Sequence, residues 1–191
     1  MGPGPVIIAL WIAFFVSWLT AAAWSDKAKK RPRAADERGY RIAVVVGAIL
    51  LAVPTNRDGG LLRLWYVTLV EAWACAALIA VGIAFCWWAR LHLGRLWSAR
   101  VTMKADHRVI DTGPYGIVRH PIYTGLLLAL YATAAAKGTA LGVAGAVVMT
   151  WGFWVKARLE ERWLVQELPA GDYAAYRRRV PMLLPFGPRG D

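Results

Sequence analysis

The sequence has few residues of the kinds that mark metal centres, disulfide frameworks and nucleotide-binding sheets. Its 191 residues include 2 Cys and 3 His, and Cys75 and Cys86 lie in one apolar run. We therefore expect neither a disulfide framework nor a metal site. No GxGxxG follows a strand pattern, and no CxxC, His-x-x-x-His pair or serine-centred elbow occurs. These absences argue against a soluble Rossmann enzyme, a zinc enzyme and a serine hydrolase.

Acidic residues are also scarce, with 12 Asp and Glu against 23 Lys and Arg, which gives a net charge of +11. Such a charge can indicate nucleic-acid binding, but here the basic residues lie in blocks between apolar runs. An apolar content of 58% and 11 Trp are typical of membrane proteins. We predict an all-α integral membrane protein that contacts membrane lipids and no nucleic acid. The oligomeric state stays open.

The apolar runs predict a helical bundle of about five transmembrane helices. The predicted spans are Pro5–Trp24, Ile42–Val53, one within Leu61–Ala89 that is clearest over Ala72–Ala89, Ile122–Ala136 and Thr139–Val155. The first is long enough to cross a bilayer and is expected to be retained, not cleaved as a signal. The second is doubtful, because its twelve residues extend only about 18 Å as a helix. Helical spacing continues over 156–168, and a short basic amphipathic segment is expected over 173–179.

The distribution of basic residues predicts the orientation. With five spans, only Arg57, Arg63 and Lys137 of the 23 Lys and Arg lie on one side. By the positive-inside rule the other side, with the 90–120 connector and the C-terminal tail, is cytoplasmic, and the N-terminus is outside. We expect one domain over 1–191, with a three-span part at 1–89 and a cofactor-binding and catalytic part at 90–191.

Polar chemistry is concentrated in one stretch, from Gly113 to Gly125, directly before an apolar run. Gly113-Pro114 predicts a turn, and Pro121 suits the first position of a helix, where its missing N–H costs nothing. The stretch would present Arg119, His120 and Tyr123 at the mouth of a membrane helix. An Arg-His pair in that place is also typical of a simple interfacial anchor.

The order of residues in this stretch resembles a known family. Gly113-Pro114-Tyr115, followed by Arg119-His120-Pro121-x-Tyr123-x-Gly125, is similar to the signature of the isoprenylcysteine carboxyl methyltransferase and phospholipid methyltransferase family of integral membrane enzymes. Arg158-x-Glu160-Glu161, Tyr173-x-x-Tyr176 and Val180-Pro181 resemble the family's C-terminal pattern. The resemblance covers about 93–185, with its parts in the family's order.

The resemblance implies an S-adenosylmethionine site between the last two membrane helices and the C-terminal segment, with S-adenosylhomocysteine as the product. The implied cofactor-binding residues are His107, Arg108, Val109, Ile110, Tyr115, His120, Pro121, Ile122, Tyr123, Glu160 and Glu161. A Glu suits the ammonium group of this cofactor, and apolar residues suit its adenine. The family's substrate-associated Arg has its nearest match in Arg158, although different spacing leaves Lys156 as a competitor.

The acidic pair also has a simple structural interpretation. Lys156 and Glu160 are four residues apart and Arg158 and Glu161 three, so each pair can meet on a helix as a surface ion pair. Together with the Arg-His-Pro stretch, however, the pair predicts a cofactor site, with Arg158 as the catalytic residue that grips the acceptor. Which of the two Glu residues holds the cofactor stays open.

The predicted activity is transfer of a methyl group from S-adenosylmethionine to a lipophilic acceptor, most like isoprenylcysteine carboxyl methylation. The substrate would be a lipid or a prenylated small molecule. Methylation of a phospholipid amine, or of a small thiol or isoprenoid, remains open. So do two rivals of other classes, a nicotinamide-dependent membrane reductase and a non-catalytic membrane scaffold.

Overall fold

The computed structural model describes residues 1–22, 34–54, 62–94, 97, 109–167 and 171–189. Within these ranges the chain forms helices and no strand, apart from one antiparallel bridge between Arg63 and Thr139. The all-α fold is therefore confirmed. The helices are α1 (Pro3–Ala22), α2 (Ala34–Ala52), α3 (Leu69–Leu93), α4 (Pro114–Ile117), α5 (Pro121–Lys137), α6 (Ala140–Glu167) and α7 (Asp172–Arg179).

Five of these helices are long, and each lies where the sequence predicts a span. Over the described ranges, three of them are long and apolar enough to cross a membrane, at Pro3–Ala21, Leu69–Leu93 and Ala140–Gln166. The other two, α2 and α5, have 19 and 17 residues, or about 28 and 26 Å of helix. The structure is thus a helical membrane bundle. Five crossings remain a prediction.

The predicted bounds of the second span are wrong at its start. The sequence analysis places a helix only from Ile42, whereas α2 begins at Ala34. The early turns are polar, and Glu37 accepts hydrogen bonds from Tyr40 and Arg41 one turn later. Side-chain bonds at this spacing stabilise a helix that lacks apolar residues. Because α2 is longer than its apolar run, its length no longer argues against a membrane crossing.

The long helices pack as two close pairs, α2 against α6 and α3 against α5. Each pair crosses at facing glycines. A Cβ on Gly47 would lie 2.7 Å from the carbonyl oxygen of Gly145, and one on Gly82 would lie 2.5 Å from that of Gly125. Small residues allow such approach between membrane helices. A larger residue at any of these four glycines would push the paired helices apart.

The turn between α5 and α6 is the one predicted at Lys137-Gly138. Gly138 adopts a left-handed conformation (φ 62°) and its N–H donates to the carbonyl of Ala134, as in a helix C-cap. The hairpin places α5 beside α6 and brings the start of α5 close to the last three turns of α6. The short helix α7 then packs against this end, where Tyr173, Tyr176 and Val180 form a buried cluster with Leu164 and Val109.

Candidate active site

The polar stretch folds as two helix starts joined by residues 118–120. Gly113 precedes α4 with φ of 56°, Val118 is extended, and α5 begins with Pro121 directly after His120. Both the turn at Gly113-Pro114 and the helix start at Pro121 are therefore confirmed. Because proline fixes the backbone at this start, the side chain of His120 is held at the mouth of α5.

The C-terminal segment holds this loop through its backbone. The N–H of Arg119 donates to the carbonyl of Pro181 (2.8 Å), and that of His120 donates to Met182 (3.1 Å). The hydroxyl of Thr124 donates to the carbonyl of Leu183 at 2.6 Å. The loop before α5 is thus held from both sides, by α5 itself and by the segment after α7.

Helix α6 brings Glu161 into the centre of this arrangement. Its Oε1 lies 2.7 Å from Nε of Arg119 and 3.2 Å from Nε2 of His120. Its Oε2 lies 3.6 Å from Nε of Arg177 on α7. Arg119 also donates through Nη1 to the carbonyls of Arg177 (3.0 Å) and Val180 (2.6 Å). Glu161 and Arg119 are buried, and each has several partners, so the carboxylate already has a full set of donors.

The neighbouring acid, Glu160, is held differently. Its Oε1 accepts a hydrogen bond from the hydroxyl of Tyr123 at 2.7 Å, and its Oε2 lies 3.5 Å from Nδ1 of His120. Its side chain is 21% exposed, against 6% for Glu161. Glu160 therefore keeps accepting capacity on a partly accessible oxygen. Of the two acids, it is the one able to meet a further cation.

His120 faces a carboxylate through each ring nitrogen. Burial favours its neutral form, but the hydrogen bonds and charges of Glu160 and Glu161 outweigh burial and raise its pKa above the ordinary value. An imidazolium donates from both nitrogens, which matches a carboxylate on each side. The ring also stacks on Tyr123, with centroids 5.4 Å apart. We call Arg119, His120, Tyr123, Glu160 and Glu161 the charged cluster.

A second layer supports the loop from α7. The hydroxyl of Tyr176 donates to the carbonyl of Tyr115 at 2.7 Å, and Arg179 forms an ion pair with Asp111 at 3.0 Å. Burial raises the pKa of Tyr176, so this hydroxyl stays a hydrogen-bond donor at neutral pH. Val109 packs against the aromatic residues of α7. These contacts fix the loop next to the charged cluster.

An open pocket of about 450 Å³ lies beside the charged cluster along α6. Three guanidinium groups and an apolar wall face it. Its lining residues are Trp154, Val155, Arg158, Glu161, Arg162, Val165, Gln166 and Arg177. Such a combination suits a molecule with an anionic part and an apolar part. No group of His, Cys, Asp and Glu in the described ranges could hold a metal ion.

The structure brings together His120, Pro121, Tyr123, Glu160 and Glu161, as the sequence predicts. Tyr115 is buried beside them, and Val109 and Ile110 are half-buried at the start of the loop. Ile122 is partly buried against the main core, and its carbonyl accepts a hydrogen bond from the Cys86 thiol. His107 and Arg108 lie outside the described residues. Their roles, like those of the others, remain predictions.

One predicted contact is wrong. Helical spacing predicts an ion pair between Arg158 and Glu161, but Glu161 pairs with Arg119, His120 and Arg177 instead. The guanidinium of Arg158 lies over the ring of Trp154 at 5.3 Å. Residues from other segments bind the Glu161 carboxylate, which helical spacing had assigned to Arg158. That leaves Arg158 exposed at the pocket, where it can meet an anion.

Arg119 and Arg177 are not among the site residues that the resemblance implies. Arg119 was noticed beside His120, but the Arg-His pair has the simpler interpretation of an interfacial anchor. Arg177 stands in a run of three Arg in a surface helix, where only the tertiary fold distinguishes it from its neighbours. The signal that could have identified Arg119 is its place directly before His120 in the stretch that resembles the family signature.

Comparison with known proteins supports the resemblance. Residues 74–166 match the model of the isoprenylcysteine carboxyl methyltransferase (ICMT) family. This range holds most of α3, all of α4 and α5, and α6 to one residue before its end. It includes the charged cluster and leaves out α1, α2 and α7.

Three curated proteins illustrate the similarity. Methanethiol S-methyltransferase 2 of Bradyrhizobium diazoefficiens is 48% identical over 71 residues, 37% of this chain and 26% of that protein. Cobalt-zinc-cadmium resistance protein CzcN of Cupriavidus metallidurans is 30% identical over 49% of this chain and 43% of its own length. Protein-S-isoprenylcysteine O-methyltransferase B of Arabidopsis thaliana is 23% identical over 77% of this chain and 74% of its own length. The chain therefore spans less than half of the first two.

Proposed function

From the match of residues 74–166 to the ICMT family model, we propose that the chain is a membrane methyltransferase that uses S-adenosylmethionine. The observation that carries the proposal is the charged cluster. His120, Tyr123 and the two Glu residues converge at one end of α5 and α6, inside the range that matches the family.

The residues present fit the proposed cofactor. S-adenosylmethionine carries an ammonium group, and Glu160 has a partly exposed carboxylate whose second oxygen keeps accepting capacity. Glu160 would therefore hold the ammonium, with Tyr123 and His120 fixing its orientation. Glu161 is occupied by Arg119 and is assigned to stabilising the loop. Val109 and Ile110 at the start of the loop would supply apolar contact for the adenine.

When bound, S-adenosylmethionine supplies a methyl group on a positively charged sulfur. Orientation and exclusion of water provide most of the rate in such a displacement. In the pocket, Arg158 and Arg162 would hold the anionic group of the acceptor, and Arg158 would grip it in a fixed direction. Trp154, Val155 and Val165 would hold the apolar part and keep water out. An acceptor that is already an anion needs no general base.

The acceptor best matched by this pocket is a lipophilic carboxylate, as in isoprenylcysteine methylation. This choice is supported by the three guanidinium groups together with the apolar wall, and by the similarity to protein-S-isoprenylcysteine O-methyltransferase B of Arabidopsis thaliana. A lipid or prenylated small molecule would have its chain along the membrane-facing side of α6.

A small thiol is a second candidate, favoured by one specific observation. Two relatives with higher identity over about 70 residues, at 48% and 42%, carry the name methanethiol S-methyltransferase. A thiol must lose its proton before it accepts a methyl group, and nearby guanidinium groups favour the thiolate. The same three Arg residues would then serve a smaller acceptor.

The test is incubation of the purified protein with methyl-labelled S-adenosylmethionine and a panel of acceptors: a prenylcysteine, a small thiol and an amine phospholipid. Label in the prenylcysteine supports the proposal, and label in the thiol supports the second candidate. Label in the phospholipid would contradict both acceptors. If calorimetry gives no heat with S-adenosylhomocysteine but a response to NADPH, the protein is a reductase.

Arg158→Ala provides a sharper test of the acceptor's place. We expect S-adenosylhomocysteine to bind with nearly unchanged affinity while turnover falls about ten- to hundredfold, because a charged hydrogen bond contributes roughly 1.5–3 kcal/mol. Arg178→Ala is the matched control, since Arg178 is an exposed Arg in α7 that does not line the pocket. Equal losses of turnover in the two variants would contradict the role of Arg158.

We further propose that the charged cluster faces the cytoplasm and that the N-terminus lies outside, because nearly all Lys and Arg would then be inside. Single cysteines at Lys30 and Gly138, in a chain without Cys75 and Cys86, should label from opposite sides with an impermeant reagent. Labelling of both from one side would overturn the five-span topology.

A further inference from the structure

Helix α2, which lies outside the family match, contacts the charged cluster through one side chain of α6. The ammonium group of Lys156 lies between two aromatic rings, 5.7 Å from the centroid of Tyr40 and 5.4 Å from that of Tyr123. Tyr40 belongs to α2 and Tyr123 to α5. Both rings are buried, and a cation between two such rings is attracted to each of them.

Acidic groups lie on both sides of this ammonium. On the α2 side, Glu37 is only 6% exposed and accepts the hydroxyl of Tyr40 at 3.1 Å. The charges of Glu160 on α6 and of Glu37 on α2 both attract the Lys156 ammonium, and the charge of Arg41 opposes them. Lys156 therefore connects a buried acid of α2 with the acid that would hold the cofactor.

Tyr123 links Lys156 to the other residues of the charged cluster. Its ring contacts the ammonium of Lys156 and stacks on two other rings. The centroid of Tyr123 lies 5.4 Å from that of His120 and 5.4 Å from that of Phe153. Its hydroxyl donates to Glu160 at 2.7 Å. The position of the Tyr123 ring thus decides where the Glu160 oxygens point, and Lys156 is one of the groups that fix this ring.

We propose that Lys156 is a positioning residue for the cofactor site, held by Tyr40 of α2, and that α2 is therefore a working part of this site. The inference rests on the proposed function. It replaces the alternative in which Lys156 grips the acceptor. Lys156 does not line the pocket, and its ammonium group faces the two rings.

The first test measures S-adenosylhomocysteine binding by calorimetry in detergent. Lys156→Met removes the cation and should weaken binding about tenfold, while Lys156→Arg keeps a cation between the rings and should restore most of it. Lys137→Met is the control, because Lys137 is also a half-buried lysine, but it lies at the C-terminal end of α5, away from the cluster, and donates to the carbonyl of Val53. It should leave the affinity unchanged.

The second test leaves all charges in place. Tyr40→Leu removes the ring and should weaken binding several-fold, whereas Tyr40→Phe keeps the ring and should bind like the wild type. Tyr131→Leu is the matched control, since Tyr131 also links α5 to α6, through its hydroxyl and Thr150, but is exposed. An intact melting temperature in Tyr40→Leu would exclude simple unfolding as the cause of weaker binding.

The outcomes separate the two proposals. Wild-type protein that does not bind S-adenosylhomocysteine would overturn the proposed function, and this inference with it. If the wild type binds and both Lys156→Met and Tyr40→Leu bind equally well, the proposed function stands and the positioning role is wrong. If Lys156→Met binds the cofactor normally but raises the KM of the acceptor, Lys156 grips the acceptor and the inference is overturned.

Discussion

The two ends of the helix bundle hold their cations in different ways. At the end where α5 turns into α6, Lys137 donates to the carbonyl of Val53 at 2.7 Å, and the indole of Trp65 donates to the carbonyl of Ala135 at 3.0 Å. At the opposite end, Arg119 meets the carboxylate of Glu161. Main-chain carbonyls are satisfied by one donor and carry no net charge. A buried carboxylate needs several partners and can exchange one for a ligand.

The comparison shows why function is expected at only one end. A lysine that binds carbonyl groups at a helix end stabilises that end and provides no reactive group. The charged cluster, in contrast, holds two adjacent acids with different surroundings, one saturated and one partly open. Different surroundings for paired acids are typical of sites where one supports and the other binds. Four variants test this division, from the largest expected effect to the smallest.

Arg119→Ala should have the largest effect. It leaves Glu161 without its main buried partner and frees the carbonyls of Arg177 and Val180, so we expect a loss of about 3–5 kcal/mol in unfolding free energy. Chemical unfolding in detergent, followed by tryptophan fluorescence, measures it. Arg119→Lys should recover part of the loss. A loss below about 1 kcal/mol would mean that the ion pair behaves like a surface pair.

Glu160→Gln should separate binding from stability. It removes a charged acceptor from the proposed ammonium site, which contributes roughly 1.5–3 kcal/mol, so S-adenosylhomocysteine affinity should fall about ten- to hundredfold. The unfolding free energy should change little. Glu161→Gln is the matched control and should do the reverse, lowering stability more than affinity. The opposite pattern would assign the cofactor to Glu161.

His120 makes stability depend on pH at the charged end only. Because its pKa is raised in the folded protein, its stabilising contribution is fully present below about pH 6.5, the ordinary pKa, and is lost as pH rises through the raised pKa. The melting temperature should fall over this range in the wild type and less in His120→Asn. An equal fall in both would assign the pH dependence to another group.

Lys137→Met should have the smallest effect. It removes one hydrogen bond to a main-chain carbonyl, which contributes about 0.5–1.5 kcal/mol, and leaves the cofactor site untouched. Unfolding and binding measured on the same preparation test both statements. A change in S-adenosylhomocysteine affinity beyond about threefold would show that the two ends are coupled, which contradicts the division.

Much of the fold is predictable from the sequence because membrane helices are defined by long apolar runs. Helices α1, α5 and α6 begin within two residues of the predicted spans, and α3 begins eight residues after Leu61. The start of α2 was missed, because Asp36, Glu37 and Arg38 look like a solvated loop. Their helix is stabilised by side-chain bonds and by burial of Glu37 and Tyr40 against α6, which an apolar pattern does not reveal.

The sequence predicts which residues belong to the site but not which of them contact each other. The resemblance identified His120, Tyr123, Glu160 and Glu161, and the fold brings these four together. The partner of Glu161 was assigned by helical spacing to Arg158, because only local distances can be derived from one sequence. Arg119 and Arg177 are 42 and 16 positions away from Glu161 along the chain, and only the packing of α5 and α7 on α6 makes them neighbours.

The backbone contacts of Pro181, Met182 and Leu183 with the loop before α5 have a consequence for biosynthesis. These residues leave the ribosome after all five long helices, so the loop lacks these contacts while the helices are being inserted. A nascent chain therefore acquires its helices before it acquires a finished site. In the proposed methyltransferase the site is finished only when these contacts form, so a chain that stops before residue 181 keeps its long helices but lacks the contacts that hold the loop.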